Sequence, residues 1–187
     1  MSKSGSELKA AVNLCVSKSN TQAFDCREYG NDLHTPIGEW DVSEVTDMTD
    51  LFRGIKSFNA DISKWKVSRV ISMDGMFDGA TSFNADISNW DVSGVTTMRS
   101  MFNNARSFKG DVLKWDVTRV TDMASMFKGA TSFNADISKW AVSSVRTMHD
   151  MFNGANAFSR SLCGAWTNGD ATTTDMFKGS SGGFCFG

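Results

Sequence analysis

The sequence predicts an α/β solenoid of about five 25-residue coils, each a short strand followed by a short helix, held between two terminal caps. Three observations carry that expectation. Trp40, Trp65, Trp90, Trp115 and Trp140 recur at a spacing of 25, and Trp166 follows with one residue inserted. Between them the same text returns, as in W-K-V-S-R-V-I-S-M-D-G-M-F-D-G-A-T-S-F-N-A-D-I-S-N-W from Trp65 to Trp90. The large apolar residues are confined to that text: ten of the 11 Met, 12 of the 14 Phe and all six Trp fall in repeating columns. Few are left to line a separate pocket.

Taken in order, residues 1–32 form an N-terminal cap, 33–160 the repeats and 161–187 a C-terminal cap, all within one domain, 1–187. After an irregular start, Ser6 is a plausible N-cap for the run E-L-K-A-A-V-N-L-C-V-S-K, with Leu8, Ala11, Val12 and Cys15 on one face of a short helix. A helix laid across the open end of a solenoid covers its apolar cross-section. Residues 18–32 read as a polar loop, and Leu33, Ile37 and Trp40 begin the first partial coil.

Within a coil, Phe83, Ala85 and Ile87 alternate with Asn84, Asp86 and Ser88, which predicts a short strand with one buried face. Trp90, Val92, Val95 and Met98 continue inward at steps near three, as corners do. Met98, Met101, Phe102 and Ala105 then follow i, i+3, i+4, i+7, which predicts about two turns of helix. Gly54, Gly79, Asn104, Gly129, Gly154 and Gly179 come next in successive coils, the residues a left-handed helix stop requires. One coil alone is not expected to fold. The repeat decays after Ser161, and the last coil keeps only Asp175–Gly179 and Phe184.

Charge and composition exclude several classes. The formal net charge is −2 with no basic tract, so no nucleic-acid partner is expected. No run approaches the ~18 apolar residues of a membrane span. The start M-S-K-S-G-S-E-L-K lacks the apolar core of a signal peptide, so either the chain is cytoplasmic or a leader was removed before this numbering begins.

The four cysteines sit at the caps: Cys15 and Cys26 before the repeats, Cys163 and Cys185 in the last coil. No C-x-x-C zinc spacing is present. Two disulfides, 15–26 and 163–185, would staple the ends and imply an oxidising compartment, extracellular or at the cell surface. Four reduced thiols in the cytoplasm are the alternative.

Asp61, Asp86, Asp111 and Asp136 share one column. At a coil spacing of about 4.8 Å, neighbouring carboxylates repel by roughly 0.8 kcal/mol in water. A ladder of hydrogen bonds to nearby backbone and side chains is the expected answer, and bound calcium the alternative, without the G-G-x-G-x-D pattern of calcium-binding β-solenoids. The column Ser43, Ser68, Ser93, Thr118, Ser143 and the column Ser57, Ser82, Ser107, Ser132 read as turn formers. A regular exposed Thr array for ice binding is missing, since Glu44, Arg69, Gly94, Arg119 and Ser144 vary. His34 and His149 lie far apart on the repeat map. No catalytic constellation, metal set or cofactor box is visible, so no enzyme and no cofactor are expected.

The run F-N-A-D-I-S-K-W-(D/A)-V-S-x-V-x-x-M-x-x-M-F-x-G-A, around residues 58–80, 83–105, 108–130 and 133–155, resembles the 25-residue repeats of BspA-like surface proteins, relatives of the leucine-rich repeats. The entry Tyr29-Gly30…Ile37-Gly38-Glu39-Trp40 and the closing Ser161-Leu162-Cys163-Gly164-Ala165-Trp166 are similar to the ends of algal-type members. The resemblance implies a right-handed leucine-rich-repeat-like solenoid and a secreted or surface interaction role, and it carries no catalytic residue. The expected function is therefore non-enzymatic binding of a protein or glycan partner through varying outward positions. Glu39, Lys64, Asn89, Lys114 and Lys139 make one candidate contact column, and Arg53, Asp78, Asn103, Lys128 and Asn153 another. A structural subunit of a larger assembly is the alternative.

Overall fold

A computed structural model describes residues 5–18, 36–167 and 169–185. Helix α1, Gly5–Lys18, starts one residue before the expected cap and buries the expected face, Leu8, Ala11, Val12 and Cys15. The entry segment at 18–32, Leu33 and His34 otherwise lie outside the described residues.

From Ile37 to Met176 the chain repeats itself in space with the sequence period. Equivalent residues of successive copies stand one above the other: Asp47, Ser72, Thr97, Asp122, Thr147 and Thr172 form a continuous run of parallel bridges. The interior is made of single-residue columns. Phe52 stacks on Phe58 at 3.7 Å and on Phe77 at 5.5 Å; Phe77–Phe102 and Phe102–Phe127 repeat the 5.5 Å step. Trp65–Trp90 and Trp115–Trp140 stack at 6.5 and 6.4 Å. These rings, the Met pairs and the Val corners join with the α1 face into one buried cluster.

The coils are held by a hydrogen-bond pattern that the sequence reading did not expect. The N–H groups of Met98, Ser100, Phe102 and Asn104 donate to the carbonyls of Asp122, Ala124, Met126 and Lys128 in the next coil, at 2.7–3.0 Å. The carbonyls of Thr97, Arg99, Met101 and Asn103 accept from Met73, Gly75, Phe77 and Gly79 in the coil before. Each of these peptide groups thus points its N–H one way and its C=O the other, and the bonds run in four columns along the stack. The intervening N–H groups close tight turns, as in Met101→Met98, Asn103→Ser100 and Ala105→Phe102.

The helix expected over Met98–Ala105 is therefore not formed. An α-helix sends every N–H to the fourth residue back, whereas here alternate N–H groups leave the coil. The cause is a second left-handed residue. Asn104 has φ 54°, as a stop at this column requires, but Ser100 has φ 53°, and no right-handed helix can run through it. Asp50, Gly75, Ser125, Asp150 and Asp175 repeat this left-handed position.

The strand expected at Phe83–Ser88 is not formed either. Phe83 and Ile87 are buried as predicted, but the inter-coil link at Asn84 is made by a side chain. Its N–H donates to Asn59 Oδ1 at 2.8 Å, and Lys109 N–H donates to Asn84 Oδ1 at 3.0 Å. The only strands among the described residues are β1, Ser161–Leu162, and β2, Gly183–Phe184, paired in parallel at the C-terminal end.

The two ends differ. At the first coil the ladder leaves carbonyls facing outward, and α1 covers them: Lys9 Nζ donates to Thr49 O at 3.3 Å, and a Cβ on Gly5 would meet Asp47 O at 2.8 Å. At the last coil the outward groups are the N–H groups of Thr173, Asp175, Phe177 and Gly179, which find no acceptor among the described residues.

Candidate functional site

The described residues bury no polar or charged residue as a whole, so the polar groups they offer to a ligand are on their outside. The four carboxylates of the predicted ladder, Asp61, Asp86, Asp111 and Asp136, are all exposed. Each accepts the backbone N–H two residues on, from Ser63, Ser88, Leu113 and Ser138, at 2.9–3.0 Å. The bonds are local turns within one coil rather than a chain between coils. The Ser63 hydroxyl and amide hold the Asp61 carboxyl below its ordinary value. The Ser88 and Ser138 amides, with their hydroxyls, do the same for Asp86 and Asp136.

A second carboxylate column escaped the sequence reading. Asp41, Asp91 and Asp116 each take both the amide and the hydroxyl of the Ser or Thr two residues on. The hydroxyl bonds of Ser43, Ser93 and Thr118 are 2.6–2.7 Å long and depress the carboxyls of Asp41 and Asp116. Ser43, Ser93 and Thr118, three members of the Ser/Thr column predicted to form turns, do so through these acids. The signal was D-x-[ST] at a fixed place in three coils; Lys66 and Ala141 replace the acid in the other two.

Lys64, Asn89, Lys114 and Lys139 are exposed in one column, as the contact-surface reading requires. Members of the other varying column are tied down. Arg53 pairs with Asp50 and Asp78, and Lys128 Nζ lies 2.8 Å from Asp150. Burial pushes the Asp78 carboxyl up, against the pull of Arg53, while Lys128 holds the Asp150 carboxyl low.

One groove of about 870 Å³ crosses several coils, lined by Thr96, Thr118, Arg119, Thr121, Ser143 and Arg146 among others, with Asp170 also on its wall. A smaller one lies between Trp40, Asp41, Ser43, Lys64 and Lys66. His149 sits in a shallow depression with Asp150, Thr172 and Asp175. Among the described residues no three His, Cys, Asp or Glu side chains are grouped to hold a metal ion, and no helix is long and apolar enough to cross a membrane.

The cap cysteines follow the predicted pairing where it can be seen. Cys163 and Cys185 are joined by a disulfide across the last coil, and Cys185 N–H donates to Leu162 O at 3.0 Å beside it. Cys15 is disulfide-bonded; Cys26, its expected partner, lies outside the described residues.

No curated protein matches the sequence significantly. A family model matches it twice, over residues 18–120 and 86–183, so that the matched span takes in every coil. The chain belongs to the family described as Mycoplasma protein of unknown function, DUF285.

Proposed function

We propose that the protein is a non-enzymatic interaction module: a right-handed, leucine-rich-repeat-like solenoid of the BspA type, secreted or held at a cell surface, that binds a protein or glycan through its outward columns. The observation that carries this reading is the contrast between inside and outside. Buried columns keep one residue type from coil to coil, as Phe52, Phe77, Phe102, Phe127 and Phe152 do. The outward positions next to them change in charge and size, as Glu39, Lys64 and Asn89 do in one column and Glu44, Arg69, Gly94, Arg119 and Ser144 do in another. A filled interior gives rigidity, and a row of independent surface positions at fixed spacing gives recognition. The disulfide at the C-terminal end supports an oxidising compartment.

The test replaces Lys64, Asn89, Lys114 and Lys139 together by Ser and compares cross-linked capture from the native source with that of the parent protein. Unchanged melting with lost capture supports the reading. Capture that survives the four substitutions contradicts it.

One observation favours a structural subunit as the second reading. The N–H row at Thr173, Asp175, Phe177 and Gly179, without acceptors among the described residues, suits the carbonyl edge of another chain in a larger assembly. A stoichiometric complex that co-purifies and is lost on altering that end would select it.

A further inference from the structure

The groove at Thr96–Arg146 departs from the repeat in a way that points to a ligand. In the coils of Asp41, Asp91 and Asp116 the acid absorbs the hydroxyl and amide of the Ser or Thr beside it. At the groove that acid is replaced by Ala141, and the amide and hydroxyl of Ser143 have no acceptor among the described residues. The same stretch brings in Ser144 and Arg146 and faces Arg119 of the preceding coil. Neither guanidinium forms an ion pair among the described residues, whereas Arg69, the earlier member of Arg119's column, is tied to Glu44. One acid is thus missing and two arginines are free on one wall.

The remaining lining has the opposite polarity. The hydroxyls of Thr96, Thr118 and Thr121 have given their protons to Ile71 O, Asp116 Oδ1 and Thr96 O. Toward the groove their oxygens can only accept. The groove therefore asks for a ligand that carries an oxyanion beside hydroxyl donors. Running from the coil of Thr96 to that of Arg146 and on to Asp170, it spans about three inter-coil steps, or roughly 14 Å at ~4.8 Å each.

We propose that this groove binds an acidic saccharide, with Arg119, Arg146 and Ser143 on the sulfate or carboxylate and the three Thr oxygens accepting from sugar hydroxyls. Planar guanidinium forks recognise both anions bidentately. A net charge of −2 removes general attraction for polyanions as the cause. The proposal rests on the outward-column reading above but assigns one place and one ligand chemistry.

The experiment titrates the ¹⁵N-labelled full chain with a sulfated hexasaccharide, a uronate hexasaccharide, the desulfated neutral counterpart, inorganic sulfate and an oligoglutamate peptide. The expected result is saturable shifts at the amides of Arg119, Ser143 and Ser144 with one or both acidic sugars. Arg119→Ala and Arg146→Ala should each weaken binding about tenfold or more. Ala141→Asp restores the acid of the other coils, so it keeps the fold and should abolish binding. The proposal is overturned if the neutral sugar binds equally, if inorganic sulfate binds as tightly (an adventitious ion only), if the peptide binds better, or if the three variants bind as the parent does. Loss of this site alone, with capture through Lys64, Asn89, Lys114 and Lys139 intact, would leave the interaction-module reading standing.

Discussion

Phe102→Ala removes a ring that is fully buried and stacked on both sides, with Phe77 and Phe127 at 5.5 Å and Phe108 at 4.0 Å. Truncating such a ring costs about 4 kcal/mol through lost transfer energy and the cavity left behind. For a chain of this length that is a fall in melting temperature of roughly 8–16 °C. Phe177 occupies the same column in the last described coil, but it is only partly buried and stacks on a coil equivalent on one side alone, Phe152, among the described residues. Its truncation should cost about half as much, since only one neighbouring interface is lost. The assay is equilibrium urea unfolding of both variants under non-reducing conditions, with the slope checked for constancy. Equal costs at the two positions, or a cost at Phe102 below about 1 kcal/mol, would refute the view that neighbouring coils share burial through single-residue columns.

Two further outcomes follow from the same structure. Trp115 Nε1 donates to Ile87 O at 3.2 Å, but Trp166 Nε1, which follows the inserted residue, is buried without a partner among the described residues. Trp115→Phe should therefore cost about 1–3 kcal/mol more than Trp166→Phe in chemical unfolding, and equal costs would contradict the bond. The carboxyls of Asp41, Asp61, Asp86, Asp116, Asp136 and Asp150 are more acidic folded than unfolded. Their contribution is complete above the unfolded value near ~3.9 and is lost as pH falls through the lower folded values. The melting temperature should thus drop between about pH 5 and pH 2, less so in Asp61→Asn. Asp78, whose carboxyl burial raises, has the opposite sign, so Asp78→Asn should steepen the acid loss.

Much of this architecture was legible in the residues because burial depends on side-chain type and spacing alone. The Trp, Phe, Met and Val columns, the face of α1 and the left-handed stop at Gly54 and its copies could all be read that way. The link between coils could not. Met98, Met101, Phe102 and Ala105 sit at a spacing that serves a helix and a ribbon of tight turns equally, and the two differ only in where the N–H groups go. The deciding signal was the column Asp50, Gly75, Ser100, Ser125, Asp150, Asp175, four positions before the expected stop, where Gly and Asp are residue types that tolerate positive φ and Ser100 and Ser125 adopt it with them. The alternation at Phe83–Ser88 misled for a related reason, since Asn59 and Asn84 side chains replace the backbone acceptors a strand would use. On the surface, the exposed columns were legible as exposed. The groove was not, because its character comes from a missing acid at Ala141 that matters only once Ser143, Arg119 and Arg146 are brought together.

The direction of the N–H groups can be measured. Scalar couplings across hydrogen bonds, between amide nitrogen and acceptor carbonyl carbon in the uniformly labelled protein, report each donor–acceptor pair by residue. Couplings from Gly75 to Arg99, Phe77 to Met101, Gly79 to Asn103, Ser100 to Ala124 and Phe102 to Met126 are the predicted result. Couplings from these amides to the carbonyls four residues back would mean a helix in each coil, and would contradict the stacked-ladder account.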